Sequence, residues 1–214
     1  MRWACPLCLQ VDLIFFTAHK EYGHCQNCDL ISLNPAQHVS SEIEKKRYDQ
    51  HENNFNDVGY ENHLNQILLP LSSYVKKEEI GLDYGCGRTN QIEILAARMD
   101  LKMNSYDPIY RPDNLKINLK YDFITSTEVV EHFRDPKTEW IKMLDLVKTG
   151  GFIAIMTQQH EAAIDNYEKF KKWWYIRDIT HVVFYSEKTF RWIEEYFNLK
   201  IEYIKNPIVI LKKQ

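Results

Sequence analysis

Ile80-Gly81-Leu82-Asp83-Tyr84-Gly85-Cys86-Gly87 is the stretch on which the reading of this chain turns. A short apolar strand, Ile80 to Tyr84, runs straight into a Gly-x-Gly turn. Glycine permits the sharp bend and lets the backbone approach a ligand closely. A helix should follow, with Asn90 as N-cap, Glu93 three residues on, and Ile92, Leu95 and Met99 as its apolar face. The next strand, Lys102 to Tyr106, delivers Asp107, a carboxylate placed to accept hydrogen bonds from ribose hydroxyls. Strand, glycine turn, helix, strand and acid together form a nucleotide-binding arrangement. The third glycine of the dinucleotide fingerprint is Asn90 here. That glycine packs a helix behind a pyrophosphate, so a ligand with adenosine but no pyrophosphate does not require it.

Downstream, Leu115 to Asn118 is expected as a short third strand and Tyr121 to Ser126 as a fourth. Asp135-Pro136 opens a helix, a capping residue followed by proline at the first helical position. Trp140, Ile141, Leu144 and Val147 give its apolar side, and Gly150-Gly151 ends it. Phe152 to Met156 is a continuous apolar run, as in a strand buried on both faces. Ser186 caps a further helix with Phe190, Ile193 and Phe197 inward. Leu199 to Ile204 and Ile208 to Leu211, joined at Asn206-Pro207, must be antiparallel neighbours. The alternation predicts an α/β fold: a Rossmann-like sheet, mostly parallel, covered on both faces, with one reversed C-terminal strand. Three units follow: residues 1–35, a linker and helical cover over 36–78 carrying Leu64, Ile67, Leu68 and Leu71 at helical spacing, and the nucleotide-binding domain over 79–214.

The first unit carries Cys5-Pro6-Leu7-Cys8 and Cys25-Gln26-Asn27-Cys28. Two C-x2-C knuckles can place four thiolates in a tetrahedron around Zn2+. A closed four-sulfur site leaves no position for water, so a structural ion is expected. So short a segment cannot build a sufficient core alone, and the metal would supply its folding energy. His19 and His24 lie nearby, but four thiolates already suffice.

The net charge of −3 gives no overall attraction to nucleic acid or to an anionic membrane. No secretory signal and no bilayer-spanning run is present, so a cytoplasmic location without a membrane partner is expected. The paired cysteines then suit metal in a reducing compartment.

Gly81-Leu82-Asp83-Tyr84-Gly85-Cys86-Gly87 resembles the first motif of class I S-adenosylmethionine (SAM) methyltransferases. Residues Tyr121 to His132 (YDFITSTEVVEH) resemble their fourth-strand motif, especially that of the ubiquinone-biosynthesis O-methyltransferase branch. Lys148-Thr149-Gly150-Gly151-Phe152 is similar to the turn before their fifth strand. The resemblance runs from about residue 80 to the C-terminus, and more weakly to an N-terminal zinc-ribbon-like segment ending near Asn34-Pro35. It implies that Gly85 and Gly87 face the methionine part of SAM with Asp83 in support, that Asp107 holds the ribose, and that Ser126, Thr127 and Glu128 lie beside the cofactor. The chain departs from the pattern at Thr89, where a further glycine is common.

Methyl transfer needs alignment of nucleophile and sulfonium methyl, exclusion of water and, for an oxygen or nitrogen nucleophile, a base. The segment after the fifth strand offers Gln158-Gln159-His160 and Trp173-Trp174-Tyr175-Ile176-Arg177-Asp178-Ile179-Thr180-His181. His181 is the leading base candidate, with His160 and His132 behind it. Trp173 and Trp174 could wall a planar substrate or pack a lid, and Arg177 could pair with an acidic substrate group or with Asp178. Residues 48–54 and 57–60 could cover the cofactor through His51 or Tyr60, or be a solvated linker. A small-molecule acceptor methylated on oxygen or nitrogen is the favoured expectation. An rRNA or tRNA methyltransferase using the zinc module to bind RNA, and a non-catalytic zinc-ribbon interaction protein, are the alternatives.

Overall fold

The computed structural model describes residues 2–49, 58–113, 115–162 and 166–214. Three short strands come first: β1 (Leu13–Thr17), β2 (Glu21–Cys25) and β3 (Ile31–Leu33). Helices α1 (Ser41–Tyr48) and α2 (Val58–Leu71) follow. Strand and helix then alternate: β4 (Ile80–Tyr84), α3 (Gln91–Arg98), β5 (Lys102–Tyr106), β6 (Tyr121–Thr127), α4 (Pro136–Leu146) and β7 (Val147–Met156). The chain closes with α5 (Glu168–Lys172), β8 (Val183–Phe184), α6 (Glu187–Tyr196), β9 (Leu199–Lys205) and β10 (Ile208–Lys213).

The central sheet has the order β5-β4-β6-β7-β10-β9. β4 lies parallel to β5 and β6, and β6 parallel to β7. Only β10 is reversed, pairing antiparallel with both β7 and β9. The expected mostly parallel sheet with one reversed C-terminal strand is therefore present. Side chains alternate between its faces as strand geometry requires. Phe123, Ala154, Met156 and Ile210 pack with Leu64, Ile67 and Leu68 of α2 and Ile92 and Leu95 of α3. Ile124, Ile153, Ile155 and Val209 pack with Trp140 of α4 and Phe190 of α6. Covering both faces explains why β7 reads as an uninterrupted apolar run.

Local chemistry sets the helix starts. Asp135 accepts from the Thr138 amide at 3.1 Å, and Ser186 and Thr189 form a reciprocal capping box. Asn90 makes no side-chain cap, and the Glu93 carboxylate accepts from Ser105 Oγ at 2.6 Å instead of closing a capping box. Leu115 to Asn118 is not a strand but ends in a single helical turn, Lys116–Asn118. Of that run only Ile117 packs on the core, too little apolar surface to hold another strand. The Gly150-Gly151 pair lies inside β7 rather than at the end of α4. A Cβ on Gly151 would sit 2.4 Å from the Asp122 carbonyl oxygen, so glycine permits the close approach of β7 to β6.

The N-terminal strands are not a free appendage. β3 pairs antiparallel with β8, which makes a second sheet of order β1-β2-β3-β8. Cys5, Cys25 and Cys28 share the apolar cluster of the α4 and α6 face.

Candidate functional site

The glycine turn at the end of β4 is shaped for a ligand. Gly85 and Gly87 adopt φ of 82° and 65°, a left-handed backbone that favours glycine. A Cβ on Gly85 would lie 2.6 Å from Val129, whereas one on Gly87 would meet nothing within 4 Å. Gly85 is thus fixed by packing, and Gly87 faces open space. The amides of Gly85 and Cys86 donate to the Tyr106 carbonyl at 2.9 and 3.1 Å, which ties the turn to the end of β5.

Asp107 completes that tie. One carboxylate oxygen accepts from the Gly87 amide at 3.0 Å. The other accepts from the amides of Ile109 and Tyr110 at 2.8 and 2.9 Å. Three backbone donors converge on one acid, which holds the two loops in register. A carboxylate has about four lone-pair sites, so capacity for a ligand hydroxyl remains. Asp83, fully buried, accepts from Thr125 Oγ1 at 2.9 Å. Burial pushes its carboxyl up to about 7. At the end of β6 the hydroxyls of Ser126 and Thr127 are buried without a hydrogen-bond partner among the described residues. Orphaned buried hydroxyls beside an open glycine turn fit a polar ligand that supplies the missing bonds. The residues expected to hold SAM are therefore gathered at one end of the parallel strands.

The chain then turns sharply at Glu128, whose φ of 52° is uncommon for a residue with a side chain. Tyr175 Oη stands 2.5 Å from Glu131 Oε1 and 3.0 Å from Glu128 Oε2. Thr157 Oγ1 donates to Glu131 Oε2 at 3.0 Å. One phenolic hydrogen cannot serve two carboxylates. The shorter contact assigns it to Glu131, and the 3.0 Å contact with Glu128 is the weaker of the two. Burial, with the adjacent Glu131, pushes Glu128 up to about 8. His63 of α2 approaches Glu128 at 4.0 Å from the other side. Tyr60, pushed up to about 12 by burial and by Asp83 and Glu128, borders the same space. His51 and its neighbours in 50–57 lie outside the described residues.

His132 and His181 meet beside this cluster, ring centroids 4.8 Å apart. Nδ1 of His132 lies 3.1 Å from the Thr180 carbonyl, and Nδ1 of His181 lies 2.8 Å from the Tyr175 carbonyl. A carbonyl only accepts, so both rings carry hydrogen on Nδ1 and present Nε2 as a lone pair. Burial pushes His181 down to about 3, with His132 adding to the effect, and burial also lowers His132. Both are neutral at physiological pH. So low a basicity makes His181 a weak proton acceptor, whereas its lone pair is well suited to a hydrogen bond or a metal.

The other expected substrate residues are dispersed. His160 donates from Nε2 to the Asp29 carbonyl at 3.0 Å and accepts at Nδ1 from the Ala162 amide at 3.2 Å. Both nitrogens are spent fastening the N-terminal strands to the domain. Asp178 pairs with Arg47 of α1 at 3.0 Å, not with its neighbour Arg177, which is exposed. Trp173 packs against Phe170, Tyr175 and Phe184, while Trp174 is 60% exposed. Glu131 and Tyr175 stand in segments the sequence had marked, but their meeting with Thr157 in one cluster was not expected. The Glu-x-x-Glu-His spacing was a signal for the acids, but the sequence held none for the threonine.

The four cysteines converge as the knuckle spacing requires. Cys5 and Cys28 sulfurs lie 3.5 Å apart, those of Cys8 and Cys25 3.4 Å, and all four fall within 4.8 Å of one another. Four thiolates on one Zn2+ at about 2.3 Å stand roughly 3.8 Å apart, so the cage fits that ion. His19 contacts Tyr22, and His24 pairs with Asp29, so neither replaces a cysteine.

Comparison with known proteins agrees with this geometry. A family model described as a methyltransferase domain matches residues 45–204. No curated protein sequence matches the chain significantly. Among solved structures, the chain is similar to 1,6-didemethyltoxoflavin-N1-methyltransferase from Burkholderia thailandensis, solved with 1,6-didemethyltoxoflavin and S-adenosylhomocysteine (SAH). Identity is 9% and the TM-score 0.55, over 94% of this chain and 99% of that one. It is also similar to magnesium protoporphyrin IX methyltransferase from Synechocystis PCC 6803, solved with SAM. There identity is 12% and the TM-score 0.54, over 82% of this chain and 92% of that one. At such identities these likenesses speak for the fold, and the matched domain, spanning most of the chain, speaks for the family. The chain belongs to the methyltransferase-domain family and is a SAM-dependent methyltransferase.

Proposed function

We propose that this chain transfers the methyl group of SAM to an oxygen or nitrogen atom of a small-molecule acceptor. The observation that carries the reading is the pair of orphaned hydroxyls, Ser126 and Thr127, beside the open Gly87 turn stitched by Asp107. In this reading Gly85 and Gly87 receive the methionine part of the cofactor, Asp83 supports the turn, Asp107 takes the ribose, and Ser126, Thr127 and Glu128 line the cofactor. SAM supplies an activated methyl on sulfur, so the protein need only align the acceptor and exclude water. His132 and His181 accept a hydrogen bond from the acceptor group through Nε2. The two structural neighbours are named for the small molecules magnesium protoporphyrin IX and 1,6-didemethyltoxoflavin, which supports a small-molecule acceptor here. The likeness of 121–132 to the ubiquinone-biosynthesis branch supports the same. Cys5, Cys8, Cys25 and Cys28 hold a structural Zn2+ in a zinc-ribbon-like module over residues 1–35, joined through 36–78 to the methyltransferase domain over 79–214. Isothermal titration with SAM and SAH tests the reading: one site per chain is expected, and absence of binding to both would overturn it.

A further inference from the structure

We propose that the acceptor is a primary alkylamine, whose ammonium group is held by Glu131 and by the Nε2 lone pairs of His132 and His181 and gives up a proton to Glu128. One nitrogen of each histidine and one carboxylate oxygen of Glu131 lie within 4.8 Å of one another. Nδ1 of each ring is spent on a carbonyl, that of Thr180 or of Tyr175, so each neutral imidazole has only the lone pair of Nε2 to offer. Neither Nε2 has a hydrogen-bond partner among the described residues, although His181 is only 8% exposed. Tyr175 and Thr157 each donate to one oxygen of Glu131, and a carboxylate keeps further lone pairs beyond those two. The three groups therefore present acceptors and no donor. An ammonium is their converse: three donors on one atom and no acceptor.

Charge selects the same ligand. Glu131 is fully buried, and among the described residues no lysine or arginine forms an ion pair with it. The nearby arginines are committed elsewhere, Arg47 to Asp178 at 3.0 Å and Arg134 to Glu44 at 2.8 Å. Glu128, joined to Glu131 through Tyr175, meets no lysine or arginine among the described residues either, and His63 stands 4.0 Å from it. An unbalanced buried carboxylate is costly, and a ligand with one positive charge removes that cost. A phenolate or carboxylate acceptor would add a further negative charge, and an alcohol brings one donor and no charge. Tyr48 and Tyr175 pack on His132 and His181, ring centroids 5.3 and 4.2 Å away, and aromatic faces favour a cation beside them.

The inference rests on the methyltransferase reading above and narrows its acceptor atom to nitrogen. An ammonium has no lone pair, so one proton must leave before it can attack. Glu128 follows Thr127 at the end of β6, and its carboxyl, raised to about 8, is basic enough to take that proton near neutral pH. The two remaining N–H bonds stay on Nε2 of His132 and His181, which orient the nitrogen and need not be bases. The freed lone pair attacks the methyl carbon, and the C–S bond breaks with its electron pair going to sulfur. The cationic sulfonium becomes neutral SAH and the acceptor becomes a secondary ammonium. The proton on Glu128 passes to solvent, so one proton is released overall.

The probes are benzylamine, benzyl alcohol and benzoate, which share one shape and differ in charge and donors, with butylamine as a second amine. Each is titrated into full-length protein saturated with SAH, and binding is read from the broadening of the probe's NMR lines. The amines should bind at least about tenfold more tightly than the alcohol or the acid. E131Q and H181N should each weaken amine binding at least about tenfold while leaving benzyl alcohol unchanged, a charge selectivity that a merely structural role would not move. With SAM, benzylamine should yield N-methylbenzylamine, and E128Q should lower kcat for it about a hundredfold. Alcohol or benzoate binding as tightly as the amines overturns the proposal. So does an amine preference that survives in both E131Q and H181N, or no amine binding up to about 10 mM. Loss of SAH binding by the wild type would instead strike the methyltransferase reading, because the amine preference can be measured without cofactor.

Discussion

Replacing Asp107 by alanine isolates the carboxylate that joins the two loops of the cofactor end. In the wild type it accepts from three backbone amides, Gly87 at 3.0 Å, Ile109 at 2.8 Å and Tyr110 at 2.9 Å. Hydrogen bonds to a charged group contribute about 1.5–3 kcal/mol each when partners are buried. The side chain is 8% exposed but sits at a loop edge, where water can rehydrate the freed amides. The stability loss should therefore be about 2 kcal/mol, a fall in Tm of roughly 4–8 °C for a chain of this size. Cofactor affinity should suffer more, since the variant loses both the ribose acceptor and the fixed Gly87 amide. We expect a loss of about 2–4 kcal/mol, or roughly thirty-fold to several hundred-fold in Kd. Calorimetric titration with SAH measures the affinity, and circular dichroism confirms that α3 and the sheet persist. An SAH Kd within about twofold of wild type, in a variant whose Tm has fallen as expected, would refute the ribose assignment and leave Asp107 a turn residue only.

Asp83 should give stability a pH dependence. Its folded-state carboxyl is pushed from 3.8 up to about 7, so the folded protein keeps a proton that the unfolded chain releases. Its contribution is whole below pH 4 and is lost as pH rises towards 7. Denaturant midpoints at pH 5 and 7.5 should differ in wild type and converge in Asp83→Asn; an equal slope in both would sink the assignment. Gly81→Ala places a methyl 2.2 Å from the Phe123 ring and should cost about 3 kcal/mol by overpacking. Thermal denaturation of Gly81→Ala with Phe123→Leu should recover part of that loss, and no recovery would argue that backbone strain is the cause. Chelation of zinc should raise hydrogen exchange at Val182 and Val183 while SAH binding survives. Unchanged exchange there would mean that the four-cysteine module does not support the acceptor side.

The glycine-turn half of the candidate site was legible because it is local. Gly85, Gly87 and Asp107 each follow a strand directly, so the element that positions them is read with them. The cysteine cage was legible for a related reason: two knuckles fix their own geometry, and only the pairing of knuckles is long-range. The acceptor half was not. Glu131 meets Tyr175 across 44 positions and Thr157 across 26, and nothing in the spacing of these residues encodes the contact. His160 and His181 looked equivalent as histidines in one aromatic segment. The fold separates them, spending both nitrogens of His160 on backbone partners and leaving Nε2 of His181 without a hydrogen-bond partner among the described residues. Leu115 to Asn118 misled because its alternation is real but too little of it is buried.

Val182 shows how the two halves of the molecule meet. Its amide donates to the Glu131 carbonyl at 2.9 Å, and its carbonyl accepts from the Leu33 amide at 2.8 Å. It follows His181 directly and precedes β8, the strand that β3 adds to the N-terminal sheet. One residue thus bridges Glu131 on the methyltransferase side and Leu33 of the cysteine module. Asp29, next to Cys28, repeats the pattern by accepting from Ser186 Oγ at 2.6 Å and from His160 at its carbonyl. These links reach the Glu131 turn directly, whereas Gly85, Gly87 and Asp107 are braced through β4 and β5 and meet that turn at Val129. The four-cysteine cluster beside β1 to β3 is therefore linked through Val182 and Asp29 to where His181 and Glu131 stand. If the four cysteines hold an ion, as proposed, these links make it a brace for the turn that carries Glu131 and for His181, and in a site that aligns an acceptor a displacement of about 1 Å is enough to cost a hundredfold in rate.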